Sequence, residues 1–175
     1  MTLDEAKYLA DTVIAKLVPY TERAIVCGSV RRKKKECKDV DIVVIPRRDP
    51  VKDMFGMVIG YDVIPEFVQV VNQWPKVIGS TSGKMTRRII NGHQVELHMA
   101  SKDNFGIIQA IRTGDGDFSH MLVIRAAKLG FIHQDGCLYN AKEQKLSVPE
   151  EDDYFKLLNL PYIQPELRNK DAFRK

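Results

Sequence analysis

Apolar residues recur at helical spacing from Thr2 to Leu17 (Leu3, Ala6, Leu9, Ala10, Val13, Ile14, Leu17), and Thr2 with Glu5 forms a capping box. This predicts an amphipathic N-terminal helix. The pattern then changes. Arg23 to Cys27 is a short β-rich run halted by Gly28, and Val40 to Ile45 is a second, ended by Pro46. The basic stretch between them is long enough for a short helix. Ile64 to Trp74 places Phe67, Val68, Val71 and Trp74 on one helical face. Three strands are expected at Lys76 to Gly79, Met85 to Ile90 and Gln94 to Met99, the last two joined by the hairpin signal Asn91-Gly92. Beyond Ser101 the periodicity is helical across Asn104 to Ile111 and Phe118 to Leu129, with Gly130 as C-cap. A hairpin around Asp135-Gly136, a helix over Asp152 to Leu158 and a basic tail complete the chain.

The order strand, Gly-Ser, helix, strand is a compact α/β unit. The reading is an α+β fold in two parts with a seam near residues 100 to 103: a sheet-rich subdomain over 1–101 and a smaller α/β subdomain over 102–175.

Composition narrows the class. The 175 residues are 44% hydrophobic and 29% charged, enough to bury a core. No apolar run is long enough for a membrane span and the first residues carry no apolar signal region, so neither membrane insertion nor secretion is expected. Three cysteines without CxxC spacing suggest neither a disulfide framework nor structural zinc. Net charge is only +4, but Arg23 to Arg48 holds nine basic residues against three acidic ones. That clustering favours a polyanionic partner, although a solvated basic surface would look the same.

Three features carry candidate chemistry. Gly28-Ser29 sits where a strand turns into a helix; a close backbone approach and free helix N–H groups suit a phosphate, with Arg31, Arg32, Lys33, Lys34 and Lys35 as countercharge. Alone, Gly-Ser also fits an ordinary tight turn. Asp39-Val40-Asp41 opens an apolar strand, so both carboxylates share a face, where a divalent cation would relieve their repulsion. Two exposed aspartates at a strand start are the plainer reading. Glu96, between Val95 and Leu97, is an edge-facing glutamate or the third carboxylate of a two-metal site. His93, His98 and His133 show no ligand spacing with the cysteines and read as surface or half-buried.

Together, Gly28-Ser29-Val30-Arg31-Arg32, Asp39-Val40-Asp41 and Val95-Glu96-Leu97 resemble the nucleotidyltransferase palm of the DNA polymerase X family, that of DNA polymerase beta. Lys102-Asp103-Asn104-Phe105-Gly106, Thr113-Gly114, Ala126 to Phe131 and Leu160 to Arg168 are similar to its thumb. The resemblance implies a palm over 1–101, a thumb over 102–175 and magnesium-dependent transfer of a deoxynucleotide to a primer 3′-hydroxyl, filling short gaps in DNA repair. It implies two Mg2+ ions, with Mn2+ as a substitute, on Asp39, Asp41 and Glu96. Gly28, Ser29, Arg32 and Lys38 would hold the triphosphate, Thr113 and Gly114 the sugar, and Ser119 the minor-groove edge of the base. Arg31, Lys33, Lys34, Lys35, Arg87, Arg88, His120 and Arg168, with Arg47, Arg48, Lys170, Arg174 and Lys175, would contact DNA; Arg87 and Arg88 equally suit a surface strand with no DNA role. The partners implied are gapped or primer-template DNA and nucleoside triphosphates, bound by a monomer.

The departures from the family pattern bear on function. Its third acid is normally aspartate, and here it is Glu96; Ile111-Arg112 replaces an aromatic pair that excludes ribonucleotides; Lys38 replaces a glycine. Template-independent addition, transfer to RNA or a small molecule, and a catalytically weakened DNA-binding module are therefore the alternatives. The build expected from the sequence is a palm-plus-thumb form similar to small viral members, lodged in the cytoplasm, nucleoid or virion.

Overall fold

A computed structural model describes residues 1–173; Arg174 and Lys175, expected in the basic tail, lie outside the described residues. The fold is α+β. Helix α1 (Leu3–Leu17) is capped as expected: the Glu5 amide donates to Thr2 Oγ1 at 3.3 Å and the Thr2 amide to Glu5 Oε2 at 2.8 Å. A 3-10 turn (Val18–Tyr20) leads to β1 (Thr21–Val26), the four-residue α2 (Gly28–Arg31) and β2 (Asp39–Pro46). The exposed lysine loop before β2 is pinned to the N-terminus, with the Leu3 amide on Lys35 O at 3.1 Å and the Cys37 amide on Met1 O at 2.9 Å.

Strands β3 (Arg48–Lys52) and β4 (Val58–Val63) then form a separate antiparallel hairpin. Sequence patterning missed it, because its strands bury neither face and so carry no clean alternation: Met54, Phe55, Met57, Ile59 and Tyr61 are all exposed. After α3 (Pro65–Asn72) come β5 (Lys76–Gly79), β6 (Met85–Ile90) and β7 (His93–Met99), the last two joined at Asn91-Gly92. Asn91 and Gly92 both have positive φ, as a type I′ turn requires.

The central sheet has the order β1-β2-β7-β6-β5 and is mixed: β2 and β7 run parallel, the other neighbours antiparallel. Alternation decides what each face holds. Val40, Ile42 and Val44 of β2 and Val95 and Leu97 of β7 bury against α1 and α3. Val43 and Ile45 point the other way, onto Phe105 at the start of α4 (Phe105–Thr113). Strand β2 is covered on both sides, hence its unbroken apolar run.

The second half wraps α4, α5 (Gly116–Lys128) and α6 (Glu151–Leu157) around Phe118, Leu122, Tyr154 and Phe155, with a small sheet of β8 (Ile132–Gln134), β9 (Cys137–Tyr139) and β10 (Lys145–Leu146). Gly106 makes the α4–α6 contact possible, since a Cβ there would fall 2.1 Å from Glu150 O.

The halves are joined by charge. Glu151 on α6 is buried and receives Arg31 Nη1 at 2.8 Å, Arg31 Nη2 at 2.7 Å and Arg168 Nη1. Tyr162 donates to it at 2.9 Å. Arg168 is fully buried, stacked over Phe155 and Tyr162. Burial alone would raise the Glu151 carboxyl, but its bonds to Arg31 and Arg168 outweigh that and hold it below the ordinary 4.5. Its stabilising contribution is therefore complete above pH 4.5 and is lost as pH falls through the lowered value.

Glu151→Gln should leave the buried Arg168 uncompensated and cost about 3–5 kcal/mol in urea unfolding at pH 7. The gap from wild type should narrow below pH 4.5; a gap independent of pH would contradict the assignment.

Candidate active site

The parallel register of β2 and β7 sets Asp41 directly beside Glu96, and the antiparallel register of β6 sets Arg87 on the other side of Glu96. Period-2 alternation puts Asp39, Asp41, Glu96, His98 and Arg87 on the face toward the second half. The expected carboxylates are thus brought together. The tightest group is Asp41, Glu96 and His98, whose ligating atoms lie within 4.8 Å of one another. His98 was expected at the surface or half-buried, yet its side chain is only 2% exposed. Its Nε2 lies 3.0 Å from Asp41 Oδ1 and 3.5 Å from Glu96 Oε2. The signal was available: His98 follows Glu96 by two residues on the same strand face.

Asp39 flanks this group, half-buried. Burial first, then the negative charges of Asp41 and Glu96, push its carboxyl above the ordinary 3.8, with Arg87 opposing. Arg87 donates Nε to Glu96 Oε1 at 2.8 Å and reaches the same oxygen through Nη2. It is a partner of the site rather than a free surface cation.

Gly28 meets Asp41 across a gap that only glycine permits. Its φ is +59°, and a Cβ would fall 2.0 Å from Asp41 Oδ2. Beside it, Ser29 Oγ and Arg32 Nε are buried without a hydrogen-bond partner among the described residues. Orphaned buried donors next to a carboxylate pair fit a phosphate-bearing ligand with divalent ions. Arg32 Nη1 donates to Thr113 O at 2.6 Å, and Arg31 Nη1 to Thr113 Oγ1 at 2.7 Å. Thr113, at the end of α4, is thereby tied to α2. Gly114 follows as the α4 C-cap. Ser119 spends its hydroxyl on Ile111 O at 2.6 Å, so the side chain expected at the base edge is turned back onto the helix. Cys27 is fully buried, and that burial pushes its thiol up to about 12, which excludes it as a nucleophile at neutral pH.

Three expected DNA contacts are corrected. Arg168 is fully buried under α6. Arg88 is 3% exposed and donates to Trp74 O, Asn72 Oδ1 and Thr86 Oγ1; alternation sends it to the face opposite Arg87. Arg31 is committed to Glu151 and Thr113. Lys34, Lys35, Lys38, Arg47, Arg48, His120 and Lys170 remain exposed, and Lys33 is exposed while pairing with Glu166. No described helix is long and apolar enough to cross a membrane.

Residues 110–169 match the family model of the DNA polymerase beta thumb, about a third of the chain. No curated protein matches the chain. The thumb match supports a relation to the polymerase X family, in which divalent metal use and DNA binding are the rule.

A site that holds an ionised Asp39 against its neighbours should cost stability. Asp39→Asn is expected to raise the melting temperature of the metal-free protein at pH 7 by on the order of 2 °C. Because the carboxyl is raised, this cost vanishes as pH falls, and the two proteins should converge near about pH 3. A lower melting temperature for the variant at pH 7 would contradict the electrostatic reading.

Proposed function

We propose that the chain is a DNA-directed DNA polymerase of the X family type, with a nucleotidyltransferase palm over 1–101 and a thumb over 102–175. It would add deoxynucleotides to a primer 3′-hydroxyl at short gaps. One observation carries this reading: Asp41 and Glu96 stand side by side on parallel strands with Gly28 against Asp41, in a chain whose second half matches a polymerase thumb.

In this reading Asp39, Asp41 and Glu96 hold the divalent ions. When bound, these ions neutralise triphosphate charge and lower the cost of ionising the primer hydroxyl. The chain's own residues do the positioning. Ser29 Oγ and Arg32, both near Gly28, take the β- and γ-phosphates, Lys38 adds a nearby cation, and the free helix-start amides add to the field. Arg32 also grips Thr113 O, which aligns the Thr113–Gly114 backbone with the phosphate end of the site. Gly114 lacks a Cβ because one there would fall 2.4 Å from the Phe118 ring, and this close packing on α5 fixes the backbone offered to the sugar. The primer 3′-oxygen bonds to the α-phosphorus as the bond to pyrophosphate breaks, and its proton passes to the carboxylate set. Alignment and charge supply the rate rather than a covalent intermediate.

DNA grip would fall to the exposed Lys33, Lys34, Lys35, Arg47, Arg48 and His120. Such phosphate contacts are independent of sequence and weaken with salt. Ile111-Arg112, where the family pattern has an aromatic pair, suits a loose sugar gate.

Primer extension with magnesium on a one-nucleotide gap and on single-stranded primer, each with deoxy- and ribonucleotides, tests this reading. Templated deoxynucleotide addition at the gap is expected, reduced about 10³-fold or more in Asp41→Ala. Addition without a template would reassign the protein as a terminal transferase. Undiminished turnover in Asp41→Ala, or none in wild type, would overturn the assignment.

A further inference from the structure

His98 stands inside the carboxylate group without a role in the reading above. Its ring is buried, and Nε2 faces two oxygens at once: Asp41 Oδ1 at 3.0 Å and Glu96 Oε2 at 3.5 Å. Those spacings suit neighbouring donors around one first-row cation. At metal–ligand lengths of about 2.1 Å, donors are about 3.0 Å apart in an octahedron and about 3.4 Å apart in a tetrahedron. Two further contacts prepare the set. Arg87 occupies Glu96 Oε1, which leaves Oε2 as the oxygen turned to His98. Gly28, lacking a Cβ, lets Asp41 Oδ2 lie against its backbone, with Oδ1 as the oxygen turned to His98.

We infer that His98 Nε2 is a direct metal ligand, so that Asp41, Glu96 and His98 form a mixed nitrogen–oxygen site that prefers Mn2+ to Mg2+. The chemistry follows from the donors. Magnesium favours an all-oxygen shell and sheds water reluctantly, whereas imidazole suits transition metals. The longer Glu96 belongs to the same arrangement: Arg87 anchors one of its oxygens, and the other lies on the His98 side. The inference rests on the reading that Asp41 and Glu96 hold a divalent ion.

The test is pulsed electron paramagnetic resonance on the full chain loaded with Mn2+ alone, prepared with 14N- and 15N-histidine, alongside Mn2+ and Mg2+ binding isotherms. The expected result is a directly bonded histidine nitrogen signal that changes with the isotope. In His98→Gln the signal should vanish and Mn2+ affinity fall about 10–100-fold, while Mg2+ affinity moves less than about 3-fold. Mn2+ bound in an Asp41-dependent manner without a histidine coupling would overturn the role of His98 and leave the carboxylate site standing. No metal binding that Asp41→Asn abolishes would overturn the site reading, and this inference with it. Should His98→Gln fail to fold, the isotope effect in the wild-type spectrum alone decides.

Discussion

The parallel pairing of β2 with β7 is the constraint on which the rest depends. Its register puts Asp41 against Glu96, two carboxylates that would otherwise repel, and the chain surrounds them with compensations. Arg87 faces Glu96 from β6, His98 fills the space between the acids, and Gly28 yields room for Asp41. A register slip of one residue would turn the acids onto the helix-covered face, where Val40, Ile42 and Leu97 now lie. The apolar alternation that builds the core therefore also fixes the site.

A second consequence follows from the basic segment after Gly28. Its first arginines point inward: Arg31 spans to Glu151 and Thr113, and Arg32 reaches the Thr113 carbonyl. The element that would hold phosphates is thus bolted to the helix end that would hold a sugar. The buried Glu151–Arg168 pair sits behind this joint and completes it. Arg168 lies in the same half as Glu151 and holds that carboxylate in place for Arg31, which reaches it from the first half; removing either arginine would leave a buried charge short of its partners.

Much of this was legible in the sequence. The α1 capping box, the Asn91-Gly92 hairpin, the Gly28 turn and the shared face of Asp39 and Asp41 all follow from local rules, and all are present. What was not legible depended on tertiary partners. Arg87 and Arg88 are identical neighbours in the sequence, yet alternation gives one to the carboxylates and buries the other against Trp74 and Asn72. Arg168 reads as a tail cation until α6 supplies Glu151 and the aromatic rings of Phe155 and Tyr162 cover it. For His98 only half was hidden: its place two residues after Glu96 on one strand face is in the sequence, but its Asp41 partner comes from β2. The β3–β4 hairpin escaped notice because its apolar side chains face solvent and leave no one-sided pattern.

The central claim is that Asp41 and Glu96 form a divalent-cation site for a nucleoside triphosphate held at Gly28-Ser29. The most direct measurement is a crystal structure with a non-hydrolysable deoxynucleoside triphosphate and Mn2+, using anomalous scattering to place the metal. An anomalous peak between Asp41 and Glu96 is expected, with the β- and γ-phosphates against Ser29 and Arg32. A triphosphate bound elsewhere, with Arg87 still closed on Glu96 and no metal beside Asp41, would contradict it.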